Sequence, residues 1–135
     1  MVADVLGTRI FVGDLATGAR WVVERAAAGS GGYVCLCNVH LFVAARHDEE
    51  VRRALEGATM AFPDGWPIAW LQRRIGYGFA GRVAGPDLMG RVLAEGRGSG
   101  LRHHLLGSTG SVLRRLEASL RRQHPGVEIA GTLPH

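Results

Sequence analysis

Residues 101–131 read, in five pieces, LRHHLL, GSTG, SVLRRLEASLRRQ, HPG and VEIAG. The first and last pieces are short and apolar enough for strands. The middle piece puts Val112, Leu113, Leu116 and Leu120 on one helical face. Gly107-Ser108-Thr109-Gly110 makes a turn into that helix, and His124-Pro125-Gly126 stops it. A strand, a helix and a strand joined by tight turns predict two parallel strands with the helix as their crossover.

The rest of the chain repeats this order. Residues 8–12 alternate weakly, as a short strand does, and residues 15–28 have helical spacing up to the breaker Gly29-Ser30-Gly31-Gly32. Residues 33–37, YVCLC, form a compact apolar run that predicts a strand buried on both faces. A helix is expected over 38–46, then another that Asp48 caps and Glu49 and Glu50 favour through the helix dipole. Residues 59–62 are a further apolar run, broken by Pro63-Asp64-Gly65. Residues 66–75 are amphipathic with Pro67 in the first turn, and Gly85-Pro86-Asp87 opens a helix to about residue 95. No repeat, linker or low-complexity stretch interrupts the series. The expectation is one α/β domain over residues 1–135, its mainly parallel sheet flanked by helices.

Composition narrows the function classes less than the order of elements does. All 16 basic residues are Arg, and the formal charge is +4. This balance suits phosphate-bearing ligands, anionic headgroups or nucleic acid, and a solvated Arg-rich surface accounts for it equally well. No aromatic series is interleaved with the Arg pairs, so no nucleic-acid partner is expected. Cys35 and Cys37 are the only cysteines and fall on one face of a strand, which predicts free buried thiols of a cytoplasmic protein. No run approaches the roughly 20 apolar residues of a membrane span, so any membrane contact is expected to be peripheral. No Asp-x-Asp pair or Cys/His set at ligand spacing occurs, and neither a metal nor another cofactor is expected.

In parallel α/β sheets, ligands bind beyond the carboxyl ends of the strands. Three turns therefore carry the candidate chemistry. After Cys37, Asn38 can hold a sugar hydroxyl or cap the next helix, with His40 close behind. After Phe62, Asp64 is placed to take a proton from an acceptor hydroxyl, or to bond its own turn, while Gly65 lets a ligand near the backbone. After Leu106, Gly107 and Ser108 lead into a helix whose amides suit a diphosphate, although such turns often bind nothing. Arg82 lies among small residues between two helices, where its fork can meet a pyrophosphate.

The ordered set Cys37-Asn38-Val39-His40, Ala61-Phe62-Pro63-Asp64-Gly65-Trp66-Pro67-Ile68, Arg82-Val83-Ala84-Gly85-Pro86-Asp87-Leu88-Met89, Leu105-Leu106-Gly107 and Pro125-Gly126 resembles the WecG/TagA/CpsF glycosyltransferase family. The resemblance runs from about residue 8 to residue 135. It implies a Rossmann-like fold and an inverting hexosyltransferase. The donor would be a UDP-sugar, typically carrying N-acetylmannosamine. The acceptor would be a polyprenyl-diphosphate-linked sugar, during synthesis of teichoic acid, common antigen or exopolysaccharide. It further implies Asp64 as general base, with Asn38, His40, Gly65, Arg82, Asp87, Gly107 and Ser108 around the substrates. Within the match, Leu36 stands where the family usually has Thr, and Gly81 where it usually has Glu. An inactive nucleotide-sugar-binding module is the alternative. Family members usually continue past the strand opening near Val127. The resemblance thus implies a chain lacking the family's C-terminal part, with open apolar surface that favours a homo-oligomer.

Overall fold

The computed structural model describes residues 1–135. Val2–Val5 and Thr8–Phe11 form strands β1 and β2, paired antiparallel in a two-residue hairpin. Both turn residues, Leu6 and Gly7, have positive φ, the backbone that a tight hairpin following the strand twist needs. Asp4 accepts a hydrogen bond from the Gly7 amide at 2.8 Å and holds the turn. Strand β1 was not expected from the sequence.

Helix α1 spans Leu15–Ala27 and begins at Asp14, whose carboxylate accepts from the Thr17 amide. Strand β3, Val34–Cys37, pairs in parallel with β4, Met60–Pro63, so that Cys37 lies opposite Pro63. Between them run α2, Val39–His47, and α3, Glu49–Glu56, which Asp48 caps as expected. Helix α4, Trp66–Arg74, follows β4, and α5, Gly85–Gly96, ends in a 3₁₀ turn over Arg97–Ser99. Strand β5, Arg102–Leu106, helix α6, Gly110–Gln123, and strand β6, Glu128–Leu133, complete the fold. Strands β5 and β6 are parallel, as residues 101–131 predict. No helix is long and apolar enough to cross a membrane.

After the hairpin, single strands are separated by one or two helices, and two of the three strand pairs are parallel. Each strand has one hydrogen-bonded partner, so the sheet is divided into three pairs. This explains a difference at β3. Only Cys37 of that strand is fully buried, because no second strand packs along β3, whereas β2 packs beside β4 and β4 is mostly buried.

Packing nevertheless joins the pairs. Val5 and Ile10 of the hairpin share a core with Cys37, Phe42, Ala45, Leu55, Ala61 and Ile68. On the opposite side, Phe62 meets Phe11 at 5.0 Å and Trp21 at 6.2 Å between ring centroids, within a cluster that includes Val83 and Leu88. Leu93 on α5 continues into the β5–α6–β6 core with Leu105, Leu113, Leu120 and Val127. Helix α5 thereby links the two parallel units. Cys35 and Cys37 are free thiols on the same face, as strand periodicity requires.

Candidate active site

The parallel register of β3 and β4 brings the two turns at their carboxyl ends side by side. The Asp64 amide donates to the Cys37 carbonyl at 3.0 Å, just before Asn38. The chain then returns through α4, and the Val83 amide donates to the Pro63 carbonyl at 2.8 Å. The Gly81 amide is held by the Gly13 carbonyl at 3.1 Å. These two bonds fix the segment that carries Arg82 across the ends of β2 and β4. Its guanidinium Nη2 comes within 3.8 Å of Asp64 Oδ1, with both side chains partly open to solvent.

Helix α5 starts at the same place. A Cβ on Gly85 would lie 4.0 Å from Asp64 Oδ2 and 3.6 Å from Leu36 Cγ, so the first turn of α5 faces the carboxylate closely. No side chain caps this helix, and with Pro86 lacking an N–H its first turn leaves the Gly85 and Asp87 amides to meet an anion. Gly65 has φ of 136°, a backbone that a side chain would strain. It turns the chain from Asp64 into α4.

The other expected residues are placed less uniformly. Asn38 caps α2, its Oδ1 accepting from the Leu41 amide at 2.8 Å. That leaves its side-chain NH₂ to donate toward a ligand. His40 is exposed on the first turn of α2, and Asp87 is exposed in the first turn of α5, where its charge suits the helix dipole. Gly107 and Ser108 belong to the second parallel unit. Both have positive φ, and their backbones bond Leu133 and His135 instead of the Asp64 group. Thr109 supplies the cap of α6. Direct contacts thus draw together Asp64, Arg82 and the start of α5, with Asn38 next in sequence to the Cys37 carbonyl that the Asp64 amide meets.

A sizeable cavity lies elsewhere. It has a volume of about 640 Å³ at the opposite end of β4, where the hairpin turn meets α2 and α3. Leu6, Arg46, Leu55 and Met60 are among its lining residues. Nowhere do three or more His, Cys, Asp or Glu side chains gather as metal ligands would.

Two residues escaped the sequence reading. Gln72 of α4 is fully buried and donates from Nε2 to the Phe11 carbonyl at 2.9 Å, tying α4 to β2. A Gln flanked by Arg in an amphipathic helix gives no sign of this. Gly85 was read as a helix opener, and its close approach to Asp64 depends on the tertiary path of the segment carrying Arg82.

A carboxylate, an Arg and a helix start without a side-chain cap thus meet at adjacent strand ends. The sequence model of the glycosyl transferase WecG/TagA/CpsF family matches residues 3–135. The chain belongs to this family. As a glycosyltransferase of that family, it acts on a nucleotide-sugar donor and a sugar acceptor. Among curated proteins, none matches the chain.

Proposed function

We propose that this glycosyltransferase moves a hexose of the N-acetylmannosamine kind from a UDP-sugar to a polyprenyl-diphosphate-linked acceptor, with inversion. The observation that carries the reading is the meeting of Asp64, Arg82 and the start of α5 at the carboxyl ends of β3 and β4.

The chemistry follows from that arrangement. The Asp64 carboxylate takes the proton of an acceptor hydroxyl as its oxygen attacks the anomeric carbon. The new C–O bond forms while the bond to the UDP oxygen breaks, and the electron pair leaves with the diphosphate. Arg82 and the free amides of α5 stand where that growing negative charge is best met. The Asn38 NH₂ and His40 line the mouth beside the sugar. Asp87 in the first turn of α5 extends the surface available to the nucleotide. An acceptor with a lipid tail places the enzyme at the cytoplasmic face of a membrane, in contact with it but not across it.

A second reading is a nucleotide-sugar-binding protein without turnover. Leu36 favours it, since its side chain sits 3.6 Å from the Cβ position of Gly85 and brings an apolar group where the family usually has a hydroxyl. One assay separates the two. Purified protein is incubated with UDP-N-acetylmannosamine and a short polyprenyl-diphosphate N-acetylglucosamine, and the disaccharide product is followed by mass spectrometry. Turnover that Asp64→Asn lowers by about 10²- to 10⁴-fold, the range for loss of a general base, supports the transferase. Donor binding with no product from the unaltered protein supports the second reading.

A further inference from the structure

Helix α4 buries one face and leaves the other without a partner. Ile68, Ala69 and Gln72 point into the protein, whereas Trp66 and Trp70, one turn apart, are each 60% exposed. Scattered apolar residues are ordinary on a surface, but a contiguous group is not. Beyond these rings, Ile75 at the end of α4 and Phe79 in the following turn are also exposed, Phe79 lying edge-on to Tyr77 at 6.3 Å.

The charged residues between Asp64 and Asp87, which flank this segment, are all basic. From Gly65 to Pro86 the chain carries Arg73, Arg74 and Arg82 and no Asp or Glu. The Arg73 guanidinium lies 5.9 Å from the Trp66 ring and that of Arg74 lies 5.7 Å from the Trp70 ring. Arg73 also donates from Nε to the Ala80 carbonyl at 2.6 Å, which orders the turn bearing Phe79. Exposed Trp rings with Arg heads beside them match the boundary of an anionic bilayer. The rings occupy the headgroup level, and the guanidinium groups meet lipid phosphates while their stems lie along apolar surface.

We propose that the exposed face of α4 and the following turn, formed by Trp66, Trp70, Ile75 and Phe79 with Arg73 and Arg74, docks on an anionic phospholipid surface. Trp66 is two residues from Asp64, so docking here presents the general base to a membrane-borne substrate. The purpose of the contact rests on the lipid-linked acceptor proposed above. Its measurement does not, because bilayer binding needs neither donor nor turnover.

The test is flotation of the full chain with vesicles of phosphatidylcholine, with and without phosphatidylglycerol. The expected result is binding that requires phosphatidylglycerol and weakens with salt. Arg74→Gln should reduce partitioning by roughly 5-fold, the value of one basic residue at an anionic surface. Arg122→Gln on α6, an equal loss of charge, should leave it unchanged. Trp66→Ser with Trp70→Ser should abolish binding with the fold intact by circular dichroism, since both rings are exposed. In the unaltered protein, Trp emission should shift to the blue on adding the anionic vesicles.

Absence of vesicle binding by the folded protein overturns the proposal, as does an equal effect of Arg74→Gln and Arg122→Gln. So does a double Trp variant that still binds vesicles but changes from oligomer to monomer in light scattering, which would make this face a contact between copies. Calorimetry with UDP stands apart from each of these outcomes, so failure of the docking surface is distinguishable from failure of the donor site.

Discussion

Arg82 and Asp64 face each other at 3.8 Å, beyond hydrogen-bond range, at the ends of backbone segments tied to the same strand. The pair is close enough for mutual attraction and open enough for both groups to engage a ligand. On the proposed mechanism, a closed bidentate pair would occupy the carboxylate oxygens that an acceptor hydroxyl needs, whereas the open pair leaves both the carboxylate and the Arg82 fork available to ligands. Arg82→Lys retains the charge and loses the fork, and the two are not equivalent at such a site. We expect kcat/KM to fall by about 10-fold or more, because charge-assisted bonds of this kind contribute about 1.5–3 kcal/mol. Steady-state kinetics on the two proteins checks this.

Gly18 tests the core beneath the site. A Cβ there would lie 2.9 Å from Phe62 Cε1. Phe62 is fully buried between Phe11 and Trp21, so its ring has no room to yield. Ala favours a helix over Gly by about 1 kcal/mol, whereas overpacking a core costs about 1–3 kcal/mol. The steric effect should prevail, and Gly18→Ala should lower the urea midpoint. A raised midpoint would mean that α1 can shift away from Phe62.

The two thiols give a test in pH. Burial, with Cys35 adding and Arg46 opposing, pushes Cys37 up to about 11 from its ordinary value of 9.0, and burial also raises Cys35. The folded protein therefore holds these protons more tightly than the unfolded chain does. That contribution to stability is fully present below pH 9 and is lost as pH rises through about 11. At pH 8, Cys37 should resist iodoacetamide until urea unfolds the chain. Rapid labelling of Cys37 in the folded state would contradict its burial.

The open strand edges lead us to expect self-association. Strands β3 and β5 each have a single partner, and the register neighbours Leu106 and Leu133 are 72% and 55% exposed at the ends of the second parallel unit. Unpaired edges beside apolar surface favour association. Light scattering after size exclusion should give a mass above one chain, and a monomer at high concentration would contradict this.

Much of the fold was legible because the chain uses strong punctuation. Asp48 before Glu49 and Glu50, Pro67 in a first turn, and His124-Pro125-Gly126 after a helix each act within one turn, and their effects were read close to the observed boundaries. Strand β1 was missed because its turn is Leu6-Gly7, and a Leu with positive φ lacks the Asn or Asp that advertises a tight hairpin. The division into three strand pairs was also hidden, since strand pairing depends on tertiary packing. At the site, strand polarity was enough to select Asn38 and Asp64. The approach of Arg82 and Gly85 needed the bonds from Val83 to Pro63 and from Gly81 to Gly13, which join residues far apart in sequence. The separation of Gly107 and Ser108 into another unit needed the same three-dimensional information.

The central claim is that the donor's diphosphate binds between Arg82 and the start of α5. Isothermal calorimetry with UDP, on the unaltered protein and on Arg82→Ala, addresses it most directly. The account predicts saturable binding that Arg82→Ala weakens by at least about 10-fold, the loss of one charge-assisted contact. Equal affinity in the two proteins would contradict it and place the diphosphate elsewhere on the fold.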